Sequence, residues 1–181
     1  MQTLVSYFKE MADTKHIEIE FNHKSDILIC SFDVDKTEKI IYNLLSNAIK
    51  YTTNHIIVTL DTKNKGKESM VEIAVKDNGK GITAEEQKKI FSRYYQTESS
   101  TNVDSTGIGL NLALEMAHLQ NGDITVYSIP EEGSTFTLTL PIEVENVSTN
   151  IEALGNTNKP LVLLVDDSED MLYYMLSLIH I

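Results

Sequence analysis

The sequence predicts a globular α/β domain, and three observations carry that prediction. Segments in which apolar and polar residues alternate come in pairs, segments with apolar residues every three to four positions lie between them, and 41% apolar content over 181 residues is enough to fill a core. That length has room for one ordinary domain and a fragment of another.

Taken in order, residues 2–15 carry Leu4, Val5, Phe8 and Met11 at helical spacing, a short amphipathic helix that reads as the tail of something upstream. IEIEFN and DILICSF follow as two strands, expected to form a hairpin around the polar turn His23 to Ser25. Asp33 or Asp35 can cap a long helix reaching about Tyr51, whose stripe is Ile40, Ile41, Leu44, Leu45, Ala48 and Ile49. HIIVTLD and SMVEIAVKD make a second hairpin about the turn KNKGK. Thr83 with Glu86 three residues on is a capping box for a short helix to about Phe91. Residues 93–106 are polar and unpatterned, the mark of a lid or loop. From Gly107 to Gln120 a helix resumes that is apolar nearly all round and therefore expected to be well buried. DITVYSI and STFTLTL, joined by PEEG, form the last hairpin, ending at Pro141. Residues 143–159 are linker-like, and PLVLLVDDSEDM then starts a new strand and helix.

Composition excludes several functions. A net charge of −12 from 27 acids and 15 bases, with no basic block, argues against a nucleic-acid or anionic-membrane surface. The single cysteine, Cys30, lies in an apolar run, so a structural role and a reducing compartment are expected. No apolar run is long enough to cross a bilayer and the first residues lack a signal-peptide pattern, so the chain as given is expected to be soluble.

Four segments carry chemistry. The long helix sets Asn43, Asn47 and Lys50 on one stripe, and asparagine is a poor interior helix residue. That stripe is either a solvated face or a set of amide oxygens and an ammonium turned toward a magnesium-bound polyanion. In DNGKGI, Asp77 ends a strand, and Gly79 and Gly81 let backbone pass close to a flat ligand. An ionised carboxylate accepts hydrogen bonds only and so reads a ring amino group such as that of adenine, although a plain Asp-Asn-Gly turn has the same residues. STGIGL places glycines before a helix, where free N–H groups favour phosphate, yet neither a Rossmann fingerprint nor a P-loop is present. EEGSTFTL alone is an ordinary hairpin turn.

Order and spacing together are far more specific. NLLSNAIKYT, DNGKGI, IFSRYYQ, STGIGL and GSTFTLTLP resemble, in sequence order, the N, G1, F, G2 and last glycine boxes of the ATP-binding catalytic domain of sensor histidine kinases, over about residues 17 to 142. The resemblance implies an α/β two-layer sandwich of the Bergerat type, a mixed sheet of about five strands under three helices with a mobile ATP lid. It implies ATP and Mg2+ as ligands. Asp77 would bind the adenine amine, with Gly79, Gly81 and Ile82 shaping the pocket and Thr135 beneath the adenine. Asn47 would hold magnesium and Asn43 support it, while Lys50 and Tyr51 would line the phosphate and ribose region. Phe91 would anchor the lid hinge, and Arg93, Tyr95 and Gln96 would approach the nucleotide, with Arg93 and Gln96 near the γ-phosphate. Thr106, Gly107, Ile108, Gly109 and Leu110 would meet the phosphates. The family often has glycine where this chain has Ser105.

A second resemblance is to response-regulator receivers, in which LVLLVDDSEDM looks like a first strand ending on the magnesium-binding acids Asp166 and Asp167. Together the two imply a hybrid sensor kinase of two-component signalling, with domains 1–15 (end of a dimerisation hairpin and linker), 16–142 (ATP-binding), 143–159 (linker) and 160–181 (receiver fragment, not expected to accept phosphate). None of the five histidines is followed by an acid, as the family's phosphorylated histidine usually is, so the acceptor is expected upstream. The expected partners are that phosphoacceptor domain and a receiver, in a homodimeric, membrane-anchored parent whose cytoplasmic part includes this chain. Related hydrolases of the gyrase and chaperone type place a general-base glutamate where this chain has Asn43, which makes hydrolysis the weaker alternative. A nucleotide-binding regulatory module without activity is the other.

Overall fold

The computed structural model describes residues 8, 11–23, 30–31, 33–65, 68–96 and 107–144. Phe8 and residues 11–14 are helical, and after them come β1 (Glu18–His23), β2 (Cys30–Ser31), α1 (Val34–Tyr51), β3 (His55–Lys65), β4 (Glu68–Asp77), α2 (Ala84–Gln87), α3 (Gly109–His118), β5 (Asp123–Ile129) and β6 (Gly133–Val144). The sheet runs β1-β3-β4-β6-β2, and β5 pairs with β6. Only the β1–β3 pair is parallel, so the sheet is mixed.

Helix α1 forms because its stripe has a core to enter and its first turn has a cap. The Asp33 side chain accepts from the Lys36 amide at 3.0 Å and pairs with the Lys36 ammonium. Ile40, Leu44 and Ile49 are at most 2% exposed and face Val71, Ile73, Val75, Leu138 and Leu140 of the sheet. Phe8 and Ala12, also buried, cover α1 from the N-terminal side, and the Phe8 ring meets that of Tyr42 at 5.3 Å. Gln120, just past α3, accepts from the Asp33 amide and from the Thr37 hydroxyl, both at 3.2 Å, and so ties the two helices together.

The β3–β4 and β5–β6 hairpins and the Thr83–Glu86 capping box agree with expectation. Three expectations do not hold. β1 and β2 are not a hairpin: β1 pairs in parallel with β3, and β2 pairs with the far end of β6. Alternation in IEIEFN marks a strand with one buried face, and it is silent on the neighbour. β6 also runs past Pro141 to Val144, because its last residues pair with β2. Finally, α3 is not buried all round. Ala113 and Ala117 are fully buried on one face, while Ile108, Leu112 and Leu119 are 38%, 43% and 71% exposed. Small residues one turn apart admit close helix packing on that face only. The expected linker does not begin at residue 143, since Glu143 and Val144 belong to β6; its remainder, the side chain of Cys30 and the receiver-like segment with Asp166 and Asp167 lie outside the described residues.

Candidate functional site

Between the C-terminal half of α1, the end of β4 and the start of α3 lies a cavity of about 260 Å³. Helix α1 lines it with Ser46, Asn47, Lys50 and Tyr51, and β4 with Asp77. The loop after β4 adds Lys80, Gly81 and Ile82, and the segment after α2 adds Ile90, Tyr95 and Gln96. Gly107, Gly109 and Leu110 come from the start of α3, and Ser134 and Phe136 from β6.

Asp77 is 4% exposed. Its Oδ1 accepts from the amides of Gly79 at 2.9 Å and Ser134 at 3.3 Å, and its own backbone amide also hydrogen-bonds the carboxylate. Burial pushes its carboxyl above the usual carboxylate range, against the lowering effect of the Gly79, Ser134 and Asp77 backbone amides. A buried carboxylate fixed by backbone amides in a cavity wall is an acceptor that a ligand's amino group would meet.

The glycines around it answer to protein, not ligand. A Cβ on Gly79 would sit 2.0 Å from the Tyr51 carbonyl oxygen, and one on Gly133 (φ 106°) 2.1 Å from the Asp77 carbonyl oxygen. Gly81 packs with equal closeness on Ile129. Backbone therefore crosses backbone at this corner, bringing the α1 terminus, the DNGKGI loop and the β5–β6 turn together. Asn78 locks the same corner: its Oδ1 accepts from the Thr52 hydroxyl and the amides of Asn54 and His55, and its Nδ2 donates to Asn54. Ser128 closes the floor, accepting from the Ile82 amide at 2.9 Å and donating to the Gly133 carbonyl at 2.8 Å.

At the other boundary, Ile108 precedes α3 and makes no side-chain cap, so the residue at the cap position leaves the first-turn N–H groups beside Gly109 and Leu110 unclaimed. That is the chemistry of an anion site. Asn47 adds an amide to the lining and Lys50 an ammonium, which lies 5.2 Å from the Tyr51 ring centroid. This donor set fits a nucleotide polyphosphate with its magnesium.

Comparison with known proteins decides the family. The family model described as histidine kinase-, DNA gyrase B- and HSP90-like ATPase matches residues 32–144. The chain belongs to this family. Among curated relatives it is 34% identical over 147 residues to the sensor histidine kinase WalK of Bacillus subtilis, covering 80% of this chain and 24% of WalK. It is 38% identical over 146 residues to the aerobic respiration control sensor protein ArcB of Escherichia coli, covering 76% of this chain and 18% of ArcB. The sensor protein EvgS of E. coli O157:H7 is 29% identical over 175 residues, 92% of this chain and 15% of EvgS. The chain thus spans a quarter or less of each. Among solved structures, full-length ShkA in complex with AMPPNP superimposes with a TM-score of 0.67 at 23% identity, covering 79% of this chain and 29% of ShkA. The mycobacterial sensor histidine kinase MprB gives 0.59 at 19%, covering 77% of this chain and 94% of that one. Both share the fold.

In this ATPase-family domain the residues expected at the site divide in two. Asn47, Lys50, Tyr51, Asp77, Gly81, Ile82, Tyr95, Gln96, Gly107, Gly109 and Leu110 all line the cavity. Asn43, Gly79, Phe91, Arg93, Ile108 and Thr135 do not, and Thr106 lies outside the described residues. Each displacement has a cause. Asn43 donates to the Lys39 carbonyl at 2.7 Å, with its Oδ1 against Gly109. Arg93 is held by Asn111, which also donates to the Phe91 carbonyl. Gly79 is buried beneath the Tyr51 carbonyl. Thr135 is replaced by its neighbours, because alternation along β6 turns Ser134 and Phe136 to the cavity and Thr135 to the opposite face. Strand period alone could have shown this once Phe136 was assigned inward. Ser46, Lys80 and Ile90 were also missed, and for Ser46 the signal was available, since it adjoins Asn47 one turn before Lys50.

Proposed function

We propose that this chain is the ATP-binding catalytic domain of a sensor histidine kinase, holding magnesium-ATP for phosphoryl transfer to a histidine on an upstream dimerisation domain. The observation that carries the reading is the buried Asp77 carboxylate, fixed by the Gly79 and Ser134 backbone amides in the wall of the cavity. An acceptor-only group in that position selects a ring amino group, as adenine presents.

The remaining chemistry is positioning and charge. Lys50 and the N–H groups at the start of α3 would hold the phosphates, and the Asn47 amide oxygen would hold magnesium, which would supply neutralising charge there. Bound there, magnesium-ATP supplies the phosphoryl group that an incoming imidazole accepts. Tyr95, Ile82, Ile90 and Phe136 give the cavity apolar walls that exclude water. Hydrolysis is disfavoured, because the position of a water-activating glutamate is Asn43, an amide that cannot take a proton and is engaged with Lys39.

The parent is read as a homodimeric, membrane-anchored hybrid kinase with this part in the cytoplasm, followed by a linker and a receiver bearing Asp166 and Asp167. Similarity to EvgS over 92% of the chain supports that reading, since an alignment of this length extends beyond Val144. Among the described residues no helix is long and apolar enough to cross a membrane.

The test is calorimetric titration of the chain with a non-hydrolysable ATP analogue, with and without magnesium, beside GTP. Adenine-selective binding strengthened by magnesium is expected, and absence of binding overturns the reading. A phosphoacceptor hairpin added in trans should then take acid-labile label from ATP.

A further inference from the structure

Two lysines from separate elements converge on one aromatic ring inside the cavity. Lys50 comes from the last turn of α1 and Lys80 from between the glycines of the DNGKGI loop, and their ammonium nitrogens lie 5.2 and 5.5 Å from the Tyr51 ring centroid. Each is within the range of a cation–π contact, so the ring holds both charges in the cavity lining and keeps them from spreading into solvent.

This concentration of positive charge runs against the rest of the chain, which has 27 acids to 15 bases. Among the described lining residues two lysines stand against one carboxylate, Asp77, whose Oδ1 accepts from backbone amides. Two ammoniums brought to one ring of the lining give that stretch of wall a chemistry suited to an anion. The backbone of Lys80 is as fixed as that of Lys50. Its carbonyl accepts from the Glu131 amide at 2.7 Å, and Gly81 next to it is pressed against Ile129. A lysine on so restrained a loop loses little further backbone freedom when it engages a ligand.

We propose that Lys80 is a second cationic ligand for the polyphosphate of the bound nucleotide, acting with Lys50 across the Tyr51 ring. The proposal rests on the nucleotide reading above. It adds a specificity: the site distinguishes nucleotides by phosphate number partly through the residue between the two glycines. An ammonium donating to phosphate makes a charge-assisted contact that the nucleoside alone cannot offer.

The experiment is titration of the 181-residue chain with adenosine, ADP and ATP in magnesium at two salt concentrations, for the wild type, Lys80→Gln, Lys80→Arg and Asp77→Asn. Lys80→Gln is expected to weaken ATP roughly ten-fold, ADP less and adenosine not at all. Its ATP affinity should also depend less steeply on salt, and Lys80→Arg should keep most of the affinity. An equal loss for all three ligands would place Lys80 at the base or ribose and overturn the proposal. Unchanged ATP affinity in Lys80→Gln, with affinity lost in Asp77→Asn, would overturn it while leaving the nucleotide site intact. Failure of the wild type to bind any of the three would remove the nucleotide reading itself. An unchanged thermal midpoint for Lys80→Gln shows that the variant is folded.

Discussion

Asp77 concentrates the conflict between stability and binding at the scale of single residues. Its raised pKa means that the folded state holds a proton more tightly than the unfolded chain, whose value is 3.8. Stability of the ligand-free protein therefore falls as pH rises from 3.8 through the folded pKa, and ligand affinity, which needs the ionised form, rises over the same window. Asp77→Asn removes the buried charge and keeps an oxygen for the Gly79 and Ser134 amides, but it turns an NH2 toward the cavity. The variant should match or exceed the wild-type thermal midpoint while adenine-nucleotide affinity drops by at least about ten-fold, a loss of about 1.4 kcal/mol read by calorimetry. Gly79→Ala behaves in the opposite way. Its Cβ meets the Tyr51 carbonyl at 2.0 Å, so it should cost about 2–3 kcal/mol in urea unfolding before any ligand is added. A Gly79→Ala protein of full stability with weakened binding would return that glycine to the ligand.

Caps and pairings govern the elements. Asp33 holds the start of α1 through the Lys36 amide, and its pKa is lowered chiefly by hydrogen bonds from the Lys36 side chain and amide. Asp33→Ala should destabilise by about 1 kcal/mol in denaturant unfolding at pH 7. Because the folded pKa lies below the unfolded 3.8, that contribution is present above 3.8 and disappears as pH falls through the lowered value, so wild type and variant should converge in strong acid. At this scale most boundaries were legible. Asp33, the Thr83–Glu86 box and the alternation of β3 to β6 are local signals whose partners lie within a few residues. The partner of β1 was not legible, because a parallel pairing with β3 crosses over α1 and no turn residue announces it. The exposure of Leu112 and Leu119 was hidden for a related reason: a helix reports its hydrophobic residues, but which face meets α1 depends on where Ala113 and Ala117 allow close approach.

At the scale of the whole molecule, the sheet and helices bring residues from five regions of the sequence into one cavity, and the function proposed above puts the phosphoacceptor on another domain. Incubated alone with labelled ATP, the chain should acquire no acid-labile label, and stable label on any of its five histidines would refute the division of labour proposed for it. The sequence by itself determined the family, the long helix, the β3–β4 and β5–β6 hairpins, and the runs whose Asp77, Asn47 and Lys50 line the cavity. It could do so because each box is a short run whose spacing is set by local geometry. The tertiary structure alone decided that Arg93 rests on Asn111 and that Lys80 joins Lys50 over Tyr51. It also decided that Gly79 and Gly133 exist for backbone crossing backbone. Those outcomes depend on which chains pass one another and at what distance, and contacts between segments far apart in sequence leave no period or motif in either segment.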